Sequence, residues 1–224
     1  MGTIRVLRAG MAEHSVVSRE MKKLQKDRIE GLIPDTLIIV EHPEVVTIGP
    51  KARRDGVSVD GYPTSETDRG GGITWHGPGQ LVVYPIIKWE LGEQSVRGII
   101  GLLEDWAIAS LENCGVDSYK DSSMQGVWLD GHKICSIGLS FLHWVSRHGM
   151  SININTPGTR VEDLEGCGMV KGTHTSLHQL GYSHDKDGRP IDIRRFEKAL
   201  LETCEEILNR SPESPENWVP EVLA

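Results

Sequence analysis

Arg69-Gly70-Gly71-Gly72-Ile73-Thr74-Trp75-His76-Gly77-Pro78-Gly79-Gln80-Leu81-Val82-Val83-Tyr84-Pro85-Ile86 is the stretch on which the reading of this chain turns. Its glycines let a ligand approach bare backbone and let N–H groups point at it. The apolar run that follows, with Val82, Val83 and Ile86, anchors the loop to a core as a strand. Two ordinary hairpin turns would need one or two glycines and would not carry Arg69, Trp75, His76 and Gln80 so close together. A phosphate cradle is the weaker reading, because the segment has no Gly-Lys-Ser/Thr ending and opens no evident helix.

Outward from this stretch the chain alternates extended and helical patterns. Upstream, Ile4 to Leu7 predicts a short strand and Met11 to Ile29 a helix with Val16, Val17, Met21 and Leu24 as its apolar positions. Thr36 to Val40 is β-branched and continuous, Glu41-His42-Pro43 breaks it, and Val45 to Gly49 resumes extended structure. Residues 50–68 are polar, with Gly56, Gly61 and Pro63, and predict an irregular surface loop. Downstream, Ser95 is placed to cap a helix reaching Leu111, with Ile99, Leu103, Trp106 and Ala107 on its apolar face and Gly115 beyond its end. Gly126 to Gly138 predicts a hairpin, since Asp130-Gly131 between extended segments suits a type I′ turn. Phe141 to Val145 and Ile152 to Asn155 continue the β character, and a polar turn near Thr159 to Leu164 leads into Gly166-Cys167-Gly168. A helix over Ile193 to Leu208 presents Phe196, Ala199, Leu200, Cys204 and Leu208, and the Pro-rich tail after Arg210 predicts a loosely docked end. The expected class is α/β (α+β), a mixed sheet with packed helices.

The 224 residues, 38% of them hydrophobic, suffice for one core, so residues 1–224 are expected to form a single domain. A net charge of −8 argues against nucleic acid as the main partner, because phosphate binding needs a basic face. Lys51, Arg53 and Arg54 form a local basic cluster that could meet an acidic partner or merely be solvated. The N-terminus has no signal pattern and no apolar run approaches the ~20 residues of a membrane helix, so no membrane association and a cytoplasmic location are expected.

Four cysteines lack Cys-x-x-Cys spacing and are expected as reduced thiols. Cys204 falls on a helix stripe and Cys114 and Cys135 read as packing filler. Cys167 differs, because glycines on both sides leave its sulfur on backbone that a substrate can reach and whose N–H groups could hold an oxyanion. From the residues alone it is either a nucleophile or a loop cysteine without role, and Lys133 alone reads as an exposed strand lysine. His143 and His148 have no companions at metal-ligand spacing, so no metal is expected.

The pattern Arg69-Gly70-Gly71, Thr74, His76, Gly79-Gln80 and Tyr84 resembles the signature of the lipoyl(octanoyl) transferases. The resemblance continues with Glu41-His42-Pro43, Thr47 and Gly49 upstream. Downstream it takes in Gly126-Val127-Trp128, Lys133-Ile134, Ile137-Gly138, His148-Gly149, Cys167-Gly168-Met169 and Thr175-Ser176-Leu177. It spans about Glu41 to Leu177 and departs from the family at Cys135, Ser140 and Glu165-Gly166, where a small Ala, an Arg and a Pro are common. The resemblance implies the fold of the biotin and lipoate protein ligase catalytic domains. It implies Cys167 as the acyl-carrying nucleophile with Lys133 as its partner, and an acyl slot walled by Arg69, Gly70, Gly71, Gly72, Ile73, Thr74, Trp75 and His76, by Ser136, Ile137 and Gly138, and by Gly149, Met150 and Ser151. Gln80, Tyr84 and His148 would support the site.

The implied reaction moves octanoyl from octanoyl-acyl carrier protein to the lysine ε-amine of lipoyl domains of 2-oxoacid dehydrogenases and of the glycine cleavage H protein. A thioester is already activated, so no ATP and no cofactor are expected. The rival readings are an ATP-dependent lipoate or biotin ligase, a thiol hydrolase pairing Cys167 with His148 or His174, and a non-catalytic acyl-binding module.

Overall fold

The computed structural model describes residues 2–122, 124–161 and 172–221. The first strand, β1 (Gly2–Met11), runs past the expected Leu7 because it pairs in parallel with β2 (Asp35–Glu41) as far as Met11↔Glu41, through a bulge near Gly10. The crossover helix α1 (His14–Ile29) therefore starts three residues later than its apolar pattern suggested. Val17 and Met21 of α1 bury against Leu7, Ile38, Val40, Val82 and Tyr84 on one sheet face.

β3 (Val45–Ile48) follows, and the segment expected as an irregular loop contains a short helix α2 (Pro50–Arg54) and strand β4 (Thr64–Glu66). Pro50 sits in the first turn, where its missing N–H costs nothing. The Gly-rich stretch becomes β5 (Ile73–His76) and β6 (Gln80–Ile86). Helix α3 (Val96–Asn113) starts at Ser95, whose side chain accepts the Gly98 N–H as expected of a cap. β7 (Tyr119–Lys120), β8 (Val127–Leu129), β9 (His132–Leu142) and β10 (Val145–Asn153) make successive antiparallel pairs.

The β8–β9 turn has positive φ at Asp130 (49°) and Gly131 (80°), as the type I′ expectation required. A second two-residue turn, His143 and Trp144 at φ 49° and 58°, separates β9 from β10. No glycine or asparagine announces it, so the sequence shows only continuous β character there. Helix α4 (Ile193–Leu208) is capped by Asp192 and ends on Asn209 in the left-handed region, φ 55°.

Two further strands follow, β11 (Arg210–Pro212) and β12 (Glu216–Asn217), and among the described residues a nine-stranded mixed sheet runs β11-β1-β2-β6-β10-β9-β8-β7, with β12 also on β1, and a three-stranded sheet runs β4-β3-β5. The tail is not loose: β11 and β12 both pair in parallel with β1. Buried Arg210 binds Asp35 and Glu93 and lies 4.9 Å over the Trp89 ring, which pins the end of α4. On the second sheet face α3 and α4 bury Ile99, Leu103, Trp106, Phe196, Leu200 and Cys204, and the Trp106 indole N–H donates to the Leu200 carbonyl. No described helix is long and apolar enough to cross a membrane.

Candidate active site

The Gly-rich loop is stitched between the two sheets. Arg69, almost wholly buried, donates through Nη2 to both the carbonyl (3.0 Å) and the hydroxyl (2.8 Å) of Thr47 on β3. The Gly70 N–H donates to the Leu139 carbonyl on β9 at 2.9 Å. Gly49 is obligatory beneath this loop, since a Cβ there would stand 2.6 Å from the Gly71 carbonyl oxygen. The basic cluster on α2 serves the same scaffold: Arg53 donates to the Ile48 and Thr67 carbonyls, and Lys51 pairs with Asp55 at 2.6 Å.

Where β10 passes the loop its backbone is strained. His148 has φ 62°, a left-handed conformation that a β-strand otherwise excludes. Gly149 follows it, and a Cβ there would lie 2.1 Å from the Val83 carbonyl oxygen of β6. Next to this kink, His148 Nε2 donates to Asp68 Oδ1 at 2.8 Å and buried Arg147 pairs with the other oxygen of Asp68. The hydrogen bond from His148 and the Arg147 charge hold the Asp68 carboxyl below its usual range. Burial outweighs that bond at the ring itself, so His148 also titrates below its ordinary value.

The kink faces a cleft lined by Arg69, Thr74, His76, Tyr84, Ser136, Ile137, Gly138, Gly149, Met150 and Ser151, with Thr67 and His14 completing the wall. Imidazoles crowd it. His14 stacks on His76 (6.0 Å, 9°) and meets His42 edge-on at 5.4 Å, while His42 Nε2 contacts the Tyr84 hydroxyl at 2.8 Å. Burial lowers these rings, His14 to about 3, His42 to about 4 and His76 well below 6.5. Among the described residues no three His, Cys, Asp or Glu converge as a metal site.

A second cleft adjoins the first at Thr74 and Ser136 and is lined by Ile73, Trp75, Gln80, Asn153 and His174. Side chains tie its floor together. His76 Nδ1 contacts Gln80 Oε1 at 2.7 Å, Gln80 Nε2 donates to Asn153 Oδ1 at 2.8 Å, and Asn153 Nδ2 donates to the Thr175 carbonyl at 2.9 Å. The backbone of Thr173 and Thr175 brackets Lys133, which accepts from Thr175 N–H and donates to the Thr173 carbonyl. Lys133 and His174 are thereby bridge partners, which puts both side chains on the same side of the ladder. The Lys133 charge, after burial, helps push His174 down to about 4.

Lys133 is not the exposed strand lysine that its local sequence suggests. Only 7% of it is accessible, because its stem crosses Gly126, where a Cβ would stand 2.4 Å from Lys133 Cε. Gly126 itself is held by Glu104 of α3, which accepts its N–H at 2.8 Å. Cys135, Cys114 and Cys204 are fully buried free thiols whose titration burial pushes up, to about 12 for Cys135 and Cys204. None is placed to react.

Of the residues read from sequence as slot walls, the structure brings together Arg69, Thr74, His76, residues 136–138 and residues 149–151 at the first cleft, and Ile73 and Trp75 at the second. Gly70, Gly71 and Gly72 line neither cleft; Gly72 accepts the Gly49 N–H and Gly70 anchors to β9. Of the three residues expected to support the site, Tyr84 and His148 line the first cleft and Gln80 the second. Cys167, Gly168 and the Leu164 end of the expected turn lie outside the described residues. The sequence reading missed His14, Asp68, Arg147 and Asn153. Asp68 adjoins the Gly-rich stretch and Arg147 adjoins His148, but His14 carries no local signal at all.

Residues 19–205, most of the chain, match a family model, that of the lipoyl protein ligase A/B catalytic domain. An octanoyltransferase of Rubrobacter xylanophilus is 32% identical over 209 residues, 89% of this chain and 90% of that protein. One of Geobacter metallireducens is 35% identical over 168 residues, 74% and 76% of the two chains. Among solved structures, a bi-partite lipoate protein ligase described with its E2 lipoyl domain from Thermoplasma acidophilum superposes with TM-score 0.65 at 13% identity, over 97% and 88% of the chains. A biotin protein ligase of Aquifex aeolicus, in complex with biotin and ATP, gives 0.57 at 13%, over 93% and 71%. At such identities the likeness is one of fold, and that fold is the one the resemblance implied. On the sequence match, this chain belongs to the lipoyl protein ligase A/B catalytic-domain family, among relatives named octanoyltransferase.

Proposed function

We propose that this chain is an acyltransferase, a single catalytic domain that takes octanoyl from octanoyl-acyl carrier protein onto Cys167 and passes it to the lysine ε-amine of a lipoyl domain. The observation that carries this reading is Lys133, a lysine buried on β9 as the bridge partner of His174 at the second cleft, in a chain whose relatives are named octanoyltransferase. Burying an amine is costly unless it is paired or hydrogen-bonded, and burial eases its loss of a proton, as the reaction below requires.

In the first half-reaction the Cys167 sulfur gives its proton to Lys133 and attacks the thioester carbonyl. A C–S bond forms to Cys167, the C–S bond to the carrier breaks, and the departing thiolate takes a proton back from Lys133. In the second, the incoming lysine loses a proton to Lys133 and attacks the Cys167 thioester. A C–N bond forms, the C–S bond breaks, and the Cys167 sulfur leaves as thiol with a proton taken from Lys133. The second proton of the old ammonium passes to solvent. The thioester supplies the activation, so the balance closes without ATP.

The first cleft holds the acyl chain along residues 136–138 and 149–151 in this reading. The acceptors are lipoyl domains of 2-oxoacid dehydrogenases and the glycine cleavage H protein, and the enzyme works in the cytoplasm. Intact mass after incubation with octanoyl-acyl carrier protein tests it. An octanoyl adduct should appear on the wild type, chase onto a lipoyl domain without ATP, and vanish in Cys167→Ser. An adduct retained in Cys167→Ser would refute the nucleophile, ATP-dependent modification would favour the ligase reading, and free octanoate would favour a hydrolase.

A further inference from the structure

We propose that His14 is a specificity-determining residue that closes the far end of the acyl slot and sets the length of chain the enzyme accepts; this rests on the octanoyl-transfer reading above. His14 opens α1 and lies before residue 19, where the family match begins, so nothing in the resemblance assigns it a role. It is nevertheless 97% buried, with 3% accessible, and it lines the first cleft.

Direction along the slot follows from the two clefts. His174, the bridge partner of Lys133, borders the second cleft only, and His14 borders the first only. Thr74 and Ser136 stand between them, shared by both. A strand advances ~3.3 Å per residue, so Ser136 lies roughly 10 Å along β9 from Lys133. A staggered eight-carbon chain, with C–C bonds of ~1.5 Å, spans about 9 Å. An acyl carbonyl presented beside Lys133 therefore sends its terminal carbons past Ser136 into the first cleft, toward the wall that His14 forms.

That wall is rigid and uncharged. His14 is held face-on by His76, edge-on by His42, and through Nδ1 by the Ser65 hydroxyl at 3.0 Å. Burial, with the charges of His42, His148 and Arg69, lowers its titration to about 3, so at neutral pH a methyl terminus meets a neutral ring. The sequence reading could not see this, because the ring reaches the slot only after α1 packs beside β6 and β10.

The test compares kcat/KM for hexanoyl, octanoyl, decanoyl and dodecanoyl carrier-protein donors in wild type, His14→Ala and His14→Asn. A buried methylene is worth a factor of about four, so removing the ring should raise the decanoyl-to-octanoyl ratio by roughly 15-fold. His14→Asn, which removes the ring but keeps a polar partner for Ser65, should shift the ratio the same way and serves if the alanine variant does not fold. An unchanged chain-length profile in either folded variant overturns the role of His14. Absence of transfer by the wild type with every donor would instead overturn the octanoyl-transfer reading.

Discussion

Acidification from about pH 7.5 to about pH 5.5 should cost this protein about 4 kcal/mol of stability through three imidazoles alone. His14, His42 and His76 are nearly inaccessible to water, and burial is the leading reason that each titrates below the ordinary 6.5, at about 3, at about 4 and well below 6.5 respectively. For His14 and His76 the neighbouring imidazoles and Arg69 push the same way. With folded values depressed, the unfolded chain binds protons that the native one refuses. Stability is therefore complete above 6.5 and falls as the pH drops from 6.5 toward the folded values. Each ring loses about 1.4 kcal/mol per pH unit in that window, and one unit below 6.5 three rings lose about 4 kcal/mol. A domain of this size is stable by only ~5–15 kcal/mol, so the loss should be plain. Asp68 acts in the same sense but outside this range, because its carboxyl stays ionised well below pH 5.5 and its contribution is lost only in stronger acid. Urea unfolding at the two pH values measures the difference, and His42→Gln should shrink it by about 1.4 kcal/mol. Unfolding free energies that agree within about 1 kcal/mol at the two pH values would refute the reasoning.

Two further outcomes follow from the site. Gly149→Ala should destabilise the fold by about 3 kcal/mol or more, since its Cβ would press on the Val83 carbonyl at 2.1 Å, and thermal unfolding reads this directly. Lys133→Arg should keep a cation beside the clefts but cannot exchange protons near neutral pH. We expect alkylation of Cys167 by iodoacetamide to be partly retained relative to Lys133→Ala, with octanoyl transfer lost in both; full transfer in the arginine variant would rule out the proton-carrying role.

The element order was legible in the sequence wherever local chemistry decides structure. Ser95 caps α3, Asp130-Gly131 turns β8 into β9, and the 3.6-residue stripe of α4 marks its buried face, all through interactions within a few residues. The motif residues too were visible, because Arg69, His76 and the glycines stand together in the chain. What the sequence alone left undecided was every property set by contacts between distant segments. Lys133 is buried only because Gly126 leaves room for its stem and the backbone of 173–175 lies against it. The Pro-rich tail is held because β1 offers an open edge and Arg210 finds Asp35 and Glu93. His14, the first residue of α1 with no motif around it, becomes part of a slot because α1 packs over β6 and β10 and the ring stacks on His76. Burial and electrostatics at such positions depend on which atoms tertiary packing brings within a few ångströms, and sequence spacing carries no record of that distance.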